Sequence, residues 1–184
     1  MILNFELSKM EQSDIRKFKR DIQESFQNGF EEVYGKTEDI ILPEADIERS
    51  LNAIGSIAYK AVVDGEMVGG AVVVINENTQ HNHLDLLYVK SGIQAKGIGY
   101  SIWNAVEKLH PYTKVWETCT PYFEKRNIHF YVNKCGFQID QFWCRYFEPE
   151  NGIQLDAEHT PDEGPDEMFH FKKVMKPNLY YSHK

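Results

Sequence analysis

Apolar positions near the start of the chain recur at gaps of three and four. Ile15, Phe18, Ile22, Phe26, Phe30 and Val33 mark one face of a helix that Ser13 can cap and Gly35 can stop. A second helix opens at Pro43, carries Ile47, Leu51 and Ile54 on one side, and ends at Gly55. Elsewhere the period falls to two. Residues 2–7 alternate as a short strand before the first helix. After the second, Ile57–Val63 and Met67–Ile75 are rich in β-branched residues, and Asp64-Gly65 between them predicts a tight hairpin. A polar turn, Asn76–Asn82, leads to a third strand, His83–Val89. These strands form an antiparallel meander.

The second half alternates helices and strands. Ile98, Ile102, Ala105, Val106 and Leu109 form the buried stripe of a helix that Pro111 breaks. Lys114–Cys119 is a strand following that helix, and such a crossover places it parallel to the preceding strand. Residues 122–134 are expected to be helical, with Gly136 as the stop. Phe137–Phe147 and Met168–Met175 are the last two strands. The pattern therefore predicts an α/β fold whose mixed, mostly antiparallel central sheet is flanked by helices.

Length and charge narrow the class. A chain of 184 residues suits one domain, 1–184. The formal charge is −8, and residues 148–167 alone hold eight acidic side chains and no Lys or Arg. With Pro149, Pro161, Pro165, Gly152 and Gly164, that stretch is a solvated loop or an electrostatic rim for a cationic substrate. No basic run accompanies it, so nucleic acid is not an expected partner. No apolar run approaches the ~18 residues of a membrane helix, and the N-terminus lacks a secretory pattern. Cys119, Cys135 and Cys144 show no CxxC spacing, which fits reduced thiols in a cytoplasmic protein and not a metal site.

The chemistry concentrates in LLYVKSGIQAKGIGYSIWNAVEKL, residues 86–109: strand, glycine-bearing loop, helix. Gly97 and Gly99 let backbone approach a ligand. The first-turn N–H groups of the helix have no intrahelical partners, and the dipole favours an anion such as a pyrophosphate there, with Lys96 adding charge. A dinucleotide fingerprint would need a third glycine where Ile102 stands, and a P-loop is absent. What remains is Gln94-x-x-Gly97-x-Gly99 after Leu87-Tyr88-Val89, with Cys135-Gly136-Phe137 downstream at the end of a helix. These motifs, in this element order, resemble the GCN5-related N-acetyltransferases.

The resemblance implies an acyl-CoA N-acyltransferase fold and acetyl transfer from acetyl-CoA to an amine by direct attack. Leu87, Tyr88 and Val89 would bind the acetyl carbonyl and pantetheine through backbone groups freed where two strands part. Gln94, Ala95, Lys96, Gly97, Ile98 and Gly99 would wrap the pyrophosphate, with Tyr100 beside it. Asn127 would contact the pantetheine. Because an alkyl ammonium must lose a proton before it attacks, a base is required. His83 stands where relatives sometimes carry a glutamate base, and Asp85 and Glu117 are rivals. Strand alternation predicts that His83, Asp85, Leu87 and Val89 share one face. The family often uses a tyrosine as the acid toward the thiolate, and Tyr131 is the candidate. It lies five residues before Gly136 where the family spacing is four, the position of Val132. One residue is ~100° of helical rotation, which a local bulge would restore. Cys119 is either a buried packing residue or a nucleophile. Residues 13–54, with Phe26, Phe30 and Tyr34, would form part of the acceptor wall. A non-catalytic acyl-CoA-binding domain is the alternative reading, and the tail 176–184 could support a homodimer.

Overall fold

The computed structural model describes residues 4–93, 97–144 and 167–176. Along the chain come β1 (Phe5–Lys9), α1 (Ile15–Tyr34), α2 (Glu44–Asn52), β2 (Ser56–Val63), β3 (Glu66–Val74) and β4 (His81–Val89). Then follow α3 (Ile98–Leu109), β5 (Val115–Pro121), α4 (Lys125–His129) with a π turn at Phe130–Lys134, β6 (Gln138–Trp143) and β7 (Met168–Val174). The order is the one the periodicity predicts. The acidic loop up to residue 166 and the tail from residue 177 lie outside the described residues.

The strands form one sheet in the order β1-β2-β3-β4-β5-β7-β6. Every neighbouring pair is antiparallel except β4 and β5. The β2–β3 hairpin turns through Asp64 at φ 51° and Gly65 at φ 86°, the paired left-handed conformations that make Asp-Gly suited to it. α3 covers one face of the sheet, where Ile102, Trp103 and Val106 are fully buried against Val73, Leu84, Trp116 and Phe171. Trp103 meets Trp116 edge-on at 5.2 Å. The opposite face packs Phe18 and Ile22 of α1 and Ile47 of α2 against Val72 and Tyr88. Gly70 on β3 permits the close approach of α1, because a Cβ there would lie 2.6 Å from the Phe18 ring.

Three sequence expectations need correction. The entry to α1 is held by Asp14 and not by Ser13. A short 3₁₀ turn precedes the helix, the Asp14 carboxylate accepts the Glu11 N–H at 2.9 Å, and Lys60 Nζ of β2 donates to it at 2.7 Å. Glu11 and Asp14 thus form a reciprocal capping box across that turn, with Lys60 of the sheet holding the Asp14 carboxylate in place. The helix expected over 122–134 starts three residues late, because the Tyr122 N–H donates to Glu167 O at 2.8 Å and ties that segment to the start of β7.

The third correction bears on the site. In the β3–β4 ladder Val72 faces Leu86 but Val73 faces Leu84, so Asp85 is an extra residue in a β-bulge. A one-residue slip exchanges the faces of a strand. Leu86 and Tyr88 therefore join the α1 side, while Leu84, Leu87 and Val89 pack on the α3 side. Asp85 turns toward Ser50 and Arg49 of α2, with His83 beside it. His83 and Asp85 share a face, as expected, but Leu87 and Val89 lie on the other.

Candidate active site

The site begins where the sheet opens. β4 and β5 pair in parallel only at His81, Asn82 and His83 against Val115, Trp116 and Glu117. Beyond His83 and Glu117 the ladder stops, although the Thr118 hydroxyl still donates to Leu84 O at 2.8 Å. Among the described residues the β5-facing edge of β4 has no strand partner from Asp85 to Val89, so its backbone groups are open to an extended ligand.

A cavity of about 570 Å³ extends from this opening. Leu87, Tyr88 and Val89 form one wall, the start of α3 another, and α4 with its π turn a third. Gly97 is left-handed at φ 73°, and the first helical bond of α3 runs from Ser101 N–H to Gly97 O at 3.0 Å. The N–H groups of Ile98, Gly99 and Tyr100 precede that bond and have no acceptor within the helix, which suits an anion. Gly99 and Tyr100 line the cavity, whereas the Ile98 side chain is buried in the core. Gln94, Ala95 and Lys96 lie outside the described residues. Lys125, Arg126, His129 and Lys134 face the same cavity from the α4 side, a cluster of basic groups that the sequence reading left unused. Asn127 also lines it and donates to Thr120 Oγ1 at 3.4 Å.

Tyr88 contributes backbone to this wall, since its ring is buried edge-on to Phe18 at 5.1 Å. Across the cavity lie Phe26 and Tyr34 of α1, and the Tyr34 hydroxyl donates to Phe123 O at 2.5 Å; Phe30 does not line the cavity and packs instead against Tyr34 and Phe123. A second depression, about 370 Å³ on the outer flank of α1, is lined by Arg16, Lys19 and Glu44 and touches neither the opened seam nor the glycine loop.

The spacing of Tyr131 is resolved by the π turn. Cys135 N–H donates to Phe130 O at 3.0 Å, a five-residue reach that inserts one residue before Gly136. Tyr131 consequently points inward, 7% exposed, against Phe137 and Phe171. Its hydroxyl bonds Thr118 at the opened seam and lies near Cys119 and Glu124. Burial pushes the Tyr131 hydroxyl far above its ordinary range, and the Thr118 hydrogen bond offsets this only in part, so the phenol keeps its proton at neutral pH. Burial also raises the Glu124 carboxyl in the cavity wall, against the pull of Arg126.

On the face opposite Tyr131, polar groups gather around the point where pairing stops. His83 Nδ1 lies 2.9 Å from Asp85 Oδ1, but the alignment is too poor for a hydrogen bond, and both His83 ring nitrogens are buried without one. Burial raises the Asp85 carboxyl, yet His83, Ser50 and Arg49 together outweigh it and hold Asp85 below the usual carboxylate range. Cys119 sits among Asp85, Glu117 and Asp140; burial first, then those three carboxylates, push its thiol up to about 12. Its surroundings favour the thiol over the thiolate, which fits the packing reading better than a nucleophile.

The same cluster includes two residues that the sequence reading missed, His170 of β7 and Asp140 of β6. His170 is directly opposite Cys119 in the β5–β7 ladder. Alternation in Met168–Val174 places His170 opposite its apolar neighbours Phe169 and Phe171, but only the β5–β7–β6 register brings it to Glu117 and Asp140. Among the described residues no cluster of His, Cys, Asp or Glu is arranged to hold a metal ion, and no helix is long and apolar enough to cross a membrane.

This fold has counterparts. The model of the acetyltransferase (GNAT) family matches residues 19–137, and the chain belongs to that family. An uncharacterized protein of Bacillus subtilis (strain 168), YrkN, is 45% identical over 170 residues, covering 90% of each chain. Among solved structures, the PaiA N-acetyltransferase of Thermoplasma acidophilum in complex with coenzyme A superposes with a TM-score of 0.66 at 17% identity, covering 94% of this chain and 99% of that one. The ribosomal-protein-S18-alanine N-acetyltransferase of Escherichia coli gives a TM-score of 0.65 at 12% identity, covering 96% and 99%. At these identities both solved structures speak to the fold.

Proposed function

We propose that this protein transfers an acetyl group from acetyl-CoA to a primary amine, on a small molecule or a protein, by direct attack in a ternary complex. The observation that carries the reading is the unpaired edge of β4 from Asp85 to Val89, ending beside the free first-turn N–H groups of α3 in a cavity of about 570 Å³. An extended thioester arm fits such an edge, and a diphosphate fits the helix start. Lys125, Arg126 and Lys134 add basic groups to the cavity wall for the anionic end.

The residues divide the work between the two faces of the sheet. Backbone groups of Leu87 and Val89 orient the thioester carbonyl, and an N–H aimed at its oxygen stabilises negative charge developing there. Tyr131, protonated and hydrogen-bonded at the seam, donates its proton to the departing sulfur from the α3 side. The amine enters from the other side, where Asp85 and Glu117 attract an ammonium group and His83 borders them.

Titration calorimetry with CoA and acetyl-CoA, paired with thiol release over a panel of primary amines, tests this. Binding of both nucleotides and release that depends on one class of amine are expected. Binding without turnover on any amine would leave a non-catalytic acyl-CoA-binding domain in its place.

A further inference from the structure

On the acceptor side, His170 is held in one orientation by its surroundings. Its Nδ1 lies 2.5 Å from Asp140 Oδ1, and its ring stacks on Trp143 at 5.1 Å with 24° between planes. Asp140 reaches it because of a second bulge: Ile139 faces Phe171 and Gln141 faces His170, leaving Asp140 as the extra residue of β6. The Trp143 indole is fixed in turn by donating to Gln141 Oε1 at 2.7 Å. With Nδ1 committed to Asp140, Nε2 has no hydrogen-bond partner among the described residues, and it faces Glu117 Oε1 at 4.0 Å. Glu117 is the last residue of β5 to pair with β4, so Nε2 is aimed at the place where the seam opens.

A general base needs a reachable lone pair and a partner that fixes its tautomer. His170 has that fixing partner in Asp140, and its Nε2 is turned toward Glu117 at the seam. His83 lacks one, since it is poorly aligned with Asp85 and neither ring nitrogen makes a hydrogen bond. Resting on the transferase reading above, we propose that His170 is the base that deprotonates the acceptor amine, with Asp140 as its positioning residue. Nε2 takes one proton from the ammonium group, which leaves a neutral amine with a lone pair. The amine nitrogen forms the C–N bond to the acetyl carbonyl carbon, and the C–S bond breaks with its electron pair on sulfur. The sulfur takes the Tyr131 proton, Tyr131 recovers one from the nitrogen, and His170 returns its proton to solvent. The net products are an amide, a free thiol and one released proton. Glu117 and Asp85 hold the ammonium group electrostatically and do not exchange its proton.

The test uses the full chain and whichever amine it acetylates. His170→Gln and His170→Ala are expected to lower kcat by about 10²-fold or more, with the Kd for CoA within twofold of the parent. Added imidazole is expected to restore activity to His170→Ala. Asp140→Asn is expected to lower kcat without raising KM for acetyl-CoA, and Asp140→Glu to recover part of the loss. Turnover by His170→Gln within threefold of the parent overturns the base assignment and leaves the transferase reading standing. Loss of CoA binding in both His170 variants, or a kcat loss that imidazole does not repair, assigns His170 to packing and also overturns it. A parent chain that binds acetyl-CoA but turns over no amine overturns the transferase reading itself.

Discussion

Asp85 and Asp140 occupy the same structural position in different strands: each is the extra residue of a β-bulge, and each turns its carboxylate to a histidine. Asp85 sits 2.9 Å from His83 and Asp140 sits 2.5 Å from His170. A bulge aims a side chain that regular alternation would send elsewhere. The two aspartates and Glu117 surround Cys119 on one face of the opened seam, while Tyr131 approaches the seam from the other. In the proposed reaction this arrangement would keep proton removal and proton delivery on separate faces of the sheet.

Tyr131→Phe removes the hydroxyl and keeps the ring among Phe137 and Phe171. It is expected to cut kcat by about 10²-fold, the usual scale for losing a general acid. The Kd for CoA should stay within twofold in calorimetry. An unchanged kcat would remove Tyr131 from the chemistry.

Gly97→Val forces a β-branched residue into a left-handed conformation at φ 73°. Strain of about 1–3 kcal/mol is expected, expressed as a shift of the loop away from the geometry that frees the first-turn N–H groups. CoA affinity should fall at least tenfold while urea denaturation reports a folded chain. Full affinity in the variant would show that the loop does not cradle the coenzyme.

Gly70→Ala places a Cβ 2.5 Å from Tyr59 O and 2.6 Å from the Phe18 ring. Backbone cannot yield easily, and the α1 packing must shift. A loss of about 1–3 kcal/mol is expected from overpacking, read as a lower urea midpoint. Gly29→Ala, which meets nothing within 4 Å, serves as the control and should leave stability unchanged or slightly raised.

Cys119 and Cys135 both have thiols pushed up to about 12, mainly by burial. Their unfolded values are about 9, so the unfolded chain binds fewer protons between these limits. The stability this represents is complete below pH 9 and is lost as pH rises toward 12. Denaturation curves across that window should show the decline, and replacing both cysteines with Ala should flatten it. At pH 8 neither thiol should react with iodoacetamide until urea is added.

The sequence by itself determined the element order, the Asp64-Gly65 hairpin and the strand–glycine loop–helix unit that ends at Gly97 and Gly99. These rest on local causes: periodicity, left-handed turn residues and free N–H groups at a helix start. Even the displaced spacing of Tyr131 was legible as a need for a bulge, because helical rotation is a local rule; the π turn at Phe130–Lys134 supplies it. Tertiary structure decided which side chains meet. The Asp85 bulge moved Leu87 and Val89 to the face opposite His83, since register belongs to a strand and its partner together. The meeting of His170, Asp140 and Glu117 required three strands far apart in the chain to align, and no pattern within any one of them encodes that alignment.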